Sequence, residues 1–249
     1  MAVIWGLDLK EMQWGKFKGS YMFNQEYHLR RTKMIVYQFA MILCVVSESV
    51  GTAALSDYVD EQDGISTRSG GRALIHNNDI VGILSYNIFI GIAVATIFGS
   101  GFFFDLFWPE RKESNGVRLA WKISAIAVCL GALGDALALT VIVATHAAFI
   151  TGVSATEAAT LIRNNSGGKP TLVYRHNPYC VASVVLLWLG VVATFASTYI
   201  LFKSHKHDDA LGPKSAQARR RDEEAHVGTQ SASNNNPAFA PQMAQVGST

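Results

Sequence analysis

Four long apolar runs constrain this chain more than any other feature. They cover roughly residues 34–55, 80–108, 119–149 and 179–202, and polar segments separate them. A membrane-spanning helix needs about 20 consecutive apolar residues, so each run can cross a hydrocarbon core. The overall hydrophobic fraction of 49% is ordinary for a soluble protein and conceals this bunching. The sequence therefore predicts an all-α integral membrane protein, a four-helix (tetraspan) bundle with helices at about 34–55, 80–106, 119–149 and 179–202.

The chain divides into three segments around these spans. Residues 1–33 are polar with scattered aromatics and lysines, which suit either a segment lying on the membrane surface or a flexible tail. Residues 34–203 form the four-span domain. Residues 204–249 are polar and end in a stretch of Ser, Asn, Gln, Ala and Pro. Such a composition buries too little apolar area to order itself, so a disordered tail is expected.

The distribution of lysine and arginine predicts the orientation. Sixteen of the 21 basic residues lie in the two terminal segments and the middle loop, and five lie in the other two loops. Because short cytosolic segments carry the excess of positive charge, both termini are predicted to be cytosolic, whether in the plasma membrane or in an endomembrane. An even number of spans agrees with this.

One N-glycosylation acceptor sequence occurs in the chain, at Asn164-Asn165-Ser166. It lies in the 150–178 loop, which this topology places outside the cytosol. We therefore expect a glycan on Asn164. The alternative is a chance match, since such triplets are frequent.

Two acids deep inside apolar runs are the main chemical candidates. Glu48 lies about 14 residues into the first span, and Asp135 lies a similar distance into the third. Acids at bilayer depth are costly and usually face the bundle interior. Two at one depth could share a proton in a transporter or channel, because like charges in a low dielectric cannot both ionise cheaply. Alternatively each is neutral or hydrogen-bonded and fixes helix register. His146, near the outer boundary, is either a proton relay or an interfacial residue.

Small residues recur at four-residue spacing in the spans, as at Ala132, Ala136 and Thr140. In lipid, small residues mark the faces on which helices meet. This pattern favours packing within one four-helix bundle. Contact between copies, or with another membrane protein, is the alternative.

Two features of the polar tail are candidates for binding. Lys203 and Lys206 follow the last span directly, where basic residues contact anionic lipid head groups. Asn236-Pro237-Ala238-Phe239 has the form of an NPxY sorting signal with Phe in place of Tyr, so Asn236, Pro237 and Phe239 form an adaptor-like motif. A chance match in a tail rich in Asn, Pro and Ala is the alternative interpretation.

Known catalytic motifs do not occur in the sequence. It contains no HExxH, GxSxG, phosphate-loop, CxxC or GxGxxG pattern. Cys44, Cys129 and Cys180 lie in or at the start of spans, which predicts small buried apolar residues and no disulfide. We therefore expect no enzyme activity, no cofactor and no metal site. The net charge of +2 gives no reason to expect a nucleic-acid partner.

The layout over residues 34–203 resembles the broad tetraspan architecture of MARVEL-type, claudin-like and tetraspanin proteins. The first outer loop lacks the tryptophan and cysteine pair of claudins, and the second lacks the Cys-Cys-Gly set of tetraspanins, so no single family is assigned. The leading hypothesis is a non-enzymatic four-pass protein that organises membrane or partner proteins. The alternative is a small proton- or cation-coupled transporter or channel that uses Glu48 and Asp135.

Overall fold

Helices dominate the computed structural model, which describes residues 3–4, 7–164 and 170–234. The described helices are α1 (Gly19–Met22), α2 (Arg30–Arg68), α3 (Asn78–Phe107), α4 (Asn115–Thr145), α5 (Ala155–Asn164), α6 (Pro178–Leu211) and α7 (Ala216–Asn234). Short strands form two antiparallel pairs, β1 (Val3–Ile4) with β2 (Leu7–Asp8) and β3 (Leu74–His76) with β4 (Phe149–Thr151). The helices α2, α3, α4 and α6 are long and apolar enough to span a membrane. The chain is therefore a multi-pass membrane protein, and the predicted all-α fold is confirmed.

The four spans form an antiparallel bundle. α2 packs against α3 and α6, and α4 packs against the same two helices from the other side. The N-terminal segment, the α3–α4 loop and α7 meet at one end, which we call the terminal end. There the backbone N–H of Ser215 donates to the carbonyl of Glu26 at 2.8 Å. β3, β4 and α5 lie at the opposite end, which we call the loop end.

Small residues allow the helices to approach closely. A Cβ atom on Gly190 of α6 would lie 2.7 Å from the Cys44 Sγ atom of α2, which is too close for any other residue to fit without movement. Ala132 and Ala136 of α4 are fully buried. The predicted small-residue faces are thus used for packing within one bundle.

Helix α2 is longer than the predicted span at 34–55. Beyond residue 55 its buried residues are Tyr58, Glu61 and Ile65, whose spacing continues one packed face of the helix. Gly70 and Gly71, with φ of 64° and 80°, then end it. A boundary drawn from hydropathy missed this amphipathic extension, because its other faces are polar.

Helix α4 ends at Thr145, four residues before the predicted boundary at 149. After it, the N–H of Ala148 donates to the carbonyl of Leu172 at 2.8 Å, and β4 pairs with β3. Hydrogen bonds to neighbouring loops replace the helical ones. Hydropathy cannot distinguish a helix that continues to residue 149 from one that ends at residue 145 and is followed by a strand, since the residues are apolar in both cases.

The tail differs from the predicted disorder over residues 204–234. α6 continues to Leu211, and α7 follows after a turn at Gly212. The Ser215 Oγ atom caps α7 by accepting from the N–H of Ala218 at 3.2 Å. The sequence of α7 is rich in Ala, Gln, Arg and Glu, which favour helix locally even where apolar area is small. Asn236, Pro237 and Phe239 of the adaptor-like motif lie outside the described residues.

The N-terminal segment folds back onto the terminal end of α3. The ring of Phe17 meets that of Phe107 edge-on at 5.7 Å, and the Lys16 ammonium donates to the Phe107 carbonyl at 2.8 Å. Trp14 is 88% exposed on the outer side of this contact. An exposed tryptophan beside the end of a span accords with the membrane-surface interpretation of this segment, which remains a prediction.

Candidate intramembrane polar site and terminal-end cavity

A polar cluster joins three helices in the interior of the bundle, in the half nearer the loop end. Ser47 of α2, Asn87 of α3 and Ser183 of α6 are buried and form it. Ser47 Oγ donates to the Ser183 carbonyl at 2.9 Å, and Ser183 Oγ donates to the Ser47 carbonyl at 3.0 Å. Asn87 Nδ2 donates to Ser183 Oγ at 3.2 Å. Each hydroxyl thus satisfies a backbone carbonyl of the neighbouring helix, and the amide ties α3 to the pair.

The cluster is also tightly packed. A Cβ atom on Gly51, one turn along α2, would lie 3.0 Å from Asn87 Nδ2 and 3.1 Å from Ser183 Oγ. Both distances are shorter than ordinary contacts, so only glycine fits here without a shift. The bundle is closed at this level by direct contact between helices.

Glu48 lies one residue after this cluster along α2 and packs sideways against α3. A Cβ atom on Gly91 would collide with the Glu48 carboxyl group, so the glycine makes room for it. The side chain is half-buried, and its Oε2 atom has no hydrogen-bond partner in the described part of the chain. Glu48 therefore lies in the α2–α3 contact.

Asp135 of α4 is fully buried. Neither of its carboxyl oxygens accepts a hydrogen bond from any residue in the described ranges. A buried carboxylate without donors is among the most costly groups a protein can hold in its ionised form. It is the one sequence candidate that faces the interior completely.

The two acids are not brought together. No hydrogen bond joins Glu48 to Asp135 among the described residues, although Cys44 lies within electrostatic reach of both. Three cavities of about 360, 520 and 390 Å³ in the described structure are lined by neither acid. A shared proton between the two carboxyl groups has no geometric support.

His146 lies just after α4, at the loop end. Its Nδ1 atom is 2.7 Å from Asp79 Oδ2, and the Tyr174 hydroxyl donates to Asp79 Oδ1 at 2.8 Å. His146 is exposed, with 49% of its side-chain surface accessible. An exposed position just after the end of α4 fits the interfacial alternative, and both that role and the proton relay remain predictions.

The other candidate residues lie on the surface. Asn164 is exposed at the end of α5, at the loop end, and residues 165 and 166 of its acceptor sequence lie outside the described ranges. Lys203 and Lys206 are exposed on α6 at the terminal end. Their predicted roles with glycan and lipid remain predictions.

A charged cavity of about 360 Å³ opens at the terminal end. It is lined by the N-terminal segment, the ends of α2, α3, α4 and α6 that lie there, and the α3–α4 loop. Asp105 accepts from Lys33 Nζ at 3.0 Å and from Arg111 Nη1 at 2.9 Å. Glu113 accepts from Arg111 Nε at 2.6 Å. Burial alone would lower the pKa of Arg111, but these two carboxylates outweigh it and raise the pKa.

Sequence reasoning missed several of these residues. Asn87 is the one amide within the predicted 80–106 span, so it could have been singled out as Glu48 was. Ser183 carried no such signal, because serine is common on helix faces in membranes. The cavity depends on how residues before α2 fold back, and no local pattern predicts that.

Comparison with known proteins adds no constraint to this picture. No protein-family model, curated protein or solved structure matches this chain. The function must be inferred from the chemistry and geometry of the residues themselves.

Proposed function

We propose that this chain is a non-enzymatic four-pass membrane protein that organises the surrounding membrane or partner proteins, with both termini in the cytosol. The observation that carries the proposal is the Ser47–Asn87–Ser183 cluster. A conducting path needs polar groups that stay free to replace the water around an ion. Here the three polar side chains of this cluster are used by neighbouring helices, and glycine lets the helices close around them.

The ends of the bundle support the same proposal. At the terminal end the folded N-terminal segment, the α3–α4 loop and α7 provide a broad polar surface beside the membrane. α7 exposes most of its charged residues, among them Arg220 and Arg221. Such a surface suits contacts with a soluble partner or with lipid head groups.

Reconstituted vesicles test whether the protein conducts. The wild-type protein should give no proton or cation flux above that of protein-free vesicles under a pH gradient. Glu48→Gln and Asp135→Asn should express and fold as the wild type does, because each amide keeps the size and avoids burying a charge. A flux that the wild type shows and that either amide variant abolishes would contradict the proposal.

A positive test uses lateral diffusion in the membrane of an expressing cell. If α7 holds partners, a chain truncated after residue 211 should diffuse faster than the full chain. A chain truncated after residue 234 keeps α7 and is the matched control. Equal diffusion of all three chains would remove α7 from the proposed partner surface.

The second candidate function is a proton- or cation-coupled transporter or channel. One observation favours it, namely that Asp135 is completely buried and has no described hydrogen-bond partner. Unpaired intramembrane acids commonly mark ion or proton pathways. The flux measurement separates the two candidates, since only the transporter needs an ionisable side chain at Asp135.

A further inference from the structure

We propose that the cavity at the terminal end binds a phosphate-bearing anion, supplied either by a lipid head group or by a free phosphate. This inference is independent of whether the bundle conducts. It rests on Arg30, the first residue of α2, and on three further side chains that line the same cavity.

Arg30 is a buried cation with no acidic partner in the described part of the chain. It is only 3% exposed. Its guanidinium lies over the rings of Tyr21 and Tyr27, at 4.7 and 5.1 Å from their centroids, and its Nε atom donates to the Met22 carbonyl at 3.3 Å. Carbonyls and rings hold the group in place but leave its full charge uncompensated. A buried charge is costly unless an opposite charge reaches it.

Four buried atoms around the cavity lack a hydrogen-bond partner among the described residues. They are Arg30 Nη1, Tyr37 Oη, Arg118 Nε and His205 Nδ1. Tyr37 and His205 are only 1% and 6% exposed. Each of these atoms can donate a hydrogen bond, His205 in one of its two tautomers. A ligand with several acceptor oxygens would satisfy donors that come from three different helices.

The acids of the cavity do not compete for these donors. Asp105 and Glu113 are engaged by Lys33 and Arg111, as described above. Glu110 accepts from the Tyr27 hydroxyl at 3.2 Å, and Asp208 accepts from the Ser204 hydroxyl at 3.3 Å. Asp209 pairs with Arg118 through the Nη1 atom, which leaves the Nε atom of that arginine without a partner among the described residues. The cavity therefore combines satisfied carboxylates with unsatisfied donors, which is the arrangement expected of an anion site.

The shape and position of the cavity favour an amphiphilic anion. Its inner wall contains Ile97, Phe98 and Leu201, and its rim carries charged residues. A volume of about 360 Å³ falls within the range of small-molecule pockets. Basic pockets between the ends of spans hold phosphorylated lipid head groups in other membrane proteins. Arginine suits this task, because its planar fork of donors matches phosphate oxygens.

The test measures binding to the purified full chain by its thermal stability. One arm uses nanodiscs of phosphatidylcholine with or without phosphatidic acid, and the other uses inorganic phosphate against chloride in detergent. Tyr37→Phe removes one unpartnered hydroxyl, so the fold should survive. Arg118→Gln removes one charged donor. Arg31→Gln removes an exposed arginine at the same end that does not line the cavity, and it is the matched control.

If phosphatidic acid stabilises the protein and inorganic phosphate does not, the site exists and its ligand is a lipid head group. If inorganic phosphate stabilises the protein as well, the site exists and also accepts a soluble phosphate. In either case the Arg118→Gln affinity should fall about tenfold or more, the loss expected for a hydrogen bond to a charged group. Tyr37→Phe should weaken binding by a smaller factor, and Arg31→Gln should leave it unchanged. The proposal is overturned if neither probe stabilises the wild type, or if Arg31→Gln weakens binding as much as Arg118→Gln does.

Discussion

At the scale of single residues, Ser183 is the side chain on which the polar cluster of the bundle most depends. Its hydroxyl donates to the Ser47 carbonyl of α2 and accepts from the Asn87 amide of α3, so one atom links three helices. Such hydrogen bonds have modest individual strength in membranes. Their value here lies in fixing the register of three helices at one level.

The substitution Ser183→Ala should lower the free energy of unfolding by about 0.5–2 kcal/mol, because it removes these hydrogen bonds and leaves the Asn87 amide with only a long one, at 3.5 Å, to Ser47 Oγ. Ser49→Ala is the matched control. Ser49 is exposed on α2, and its hydroxyl donates only to the Val45 carbonyl of its own helix at 2.7 Å. Unfolding in detergent provides the measurement. Equal losses of unfolding free energy in the two variants would show that the hydrogen bonds of the cluster contribute no more than the hydroxyl of an exposed serine.

At the scale of elements, hydropathy located the four spans but not their ends. The thickness of the membrane determines how long the apolar part of a helix is. The residues at which the helix begins and ends depend on capping, packing and helix propensity, which hydropathy does not measure. α2 extends to Arg68 because Tyr58 and Ile65 continue its packed face. α7 forms because its residues favour helix, although they bury little apolar area. Helix propensity and capping signals are therefore needed to predict the elements that lie outside the membrane.

The contact between the N-terminal segment and α6 should loosen in acid. The rings of His28 and His207 stack with centroids 3.6 Å apart. Burial lowers the pKa of His28, and His207, Lys33 and Lys203 lower it further, while Asp208 opposes them. A histidine whose pKa is lowered by folding stabilises the contact fully above its unfolded pKa of about 6.5. This contribution is lost as the pH falls from there towards the folded pKa.

Hydrogen exchange of residues 24–30 measures this loosening. Protection, corrected for intrinsic rates, should fall between about pH 7.5 and about pH 5 in the wild type. The His207→Phe variant keeps an aromatic ring and removes the imidazole that lowers the pKa of His28, so its protection should fall less. Protection that is independent of pH in the wild type would contradict the role given to this stack.

At the scale of the whole molecule, the sequence predicted the architecture well and the site poorly. Four apolar runs suffice to predict four spans, and small residues indicated which faces would pack. Glu48 and Asp135 were recognised because charge inside an apolar run is conspicuous. Their separation was not predictable, since it depends on how each helix is rotated in the bundle. The cavity around Arg30 is formed by residues distant in sequence, and only the folded chain brings them together.

Orientation can be tested through the acceptor sequence at Asn164. If both termini are cytosolic, the loop end faces the lumen or exterior, and the exposed Asn164 should carry a glycan in a glycosylating host. Asn164→Gln should then migrate faster on a gel and resist the shift caused by a glycosidase. Asn165→Gln preserves the acceptor sequence and should migrate as the wild type does. If the wild type carries no glycan in such a host, Asn164 gives no support for this orientation.

The accessibility of Cys44 tests the central claim, a bundle closed at its centre, most directly. Cys44 is fully buried, and its Sγ atom packs against Gly190 of α6. In vesicles containing a Cys129→Ala, Cys180→Ala chain, a water-soluble methanethiosulfonate applied from either side should leave Cys44 unmodified until the protein is unfolded. Adding Lys206→Cys to the same chain should give one modification per molecule. Modification of Cys44 in the folded protein, at a rate approaching that of the exposed cysteine, would reveal a water-filled path and contradict the account.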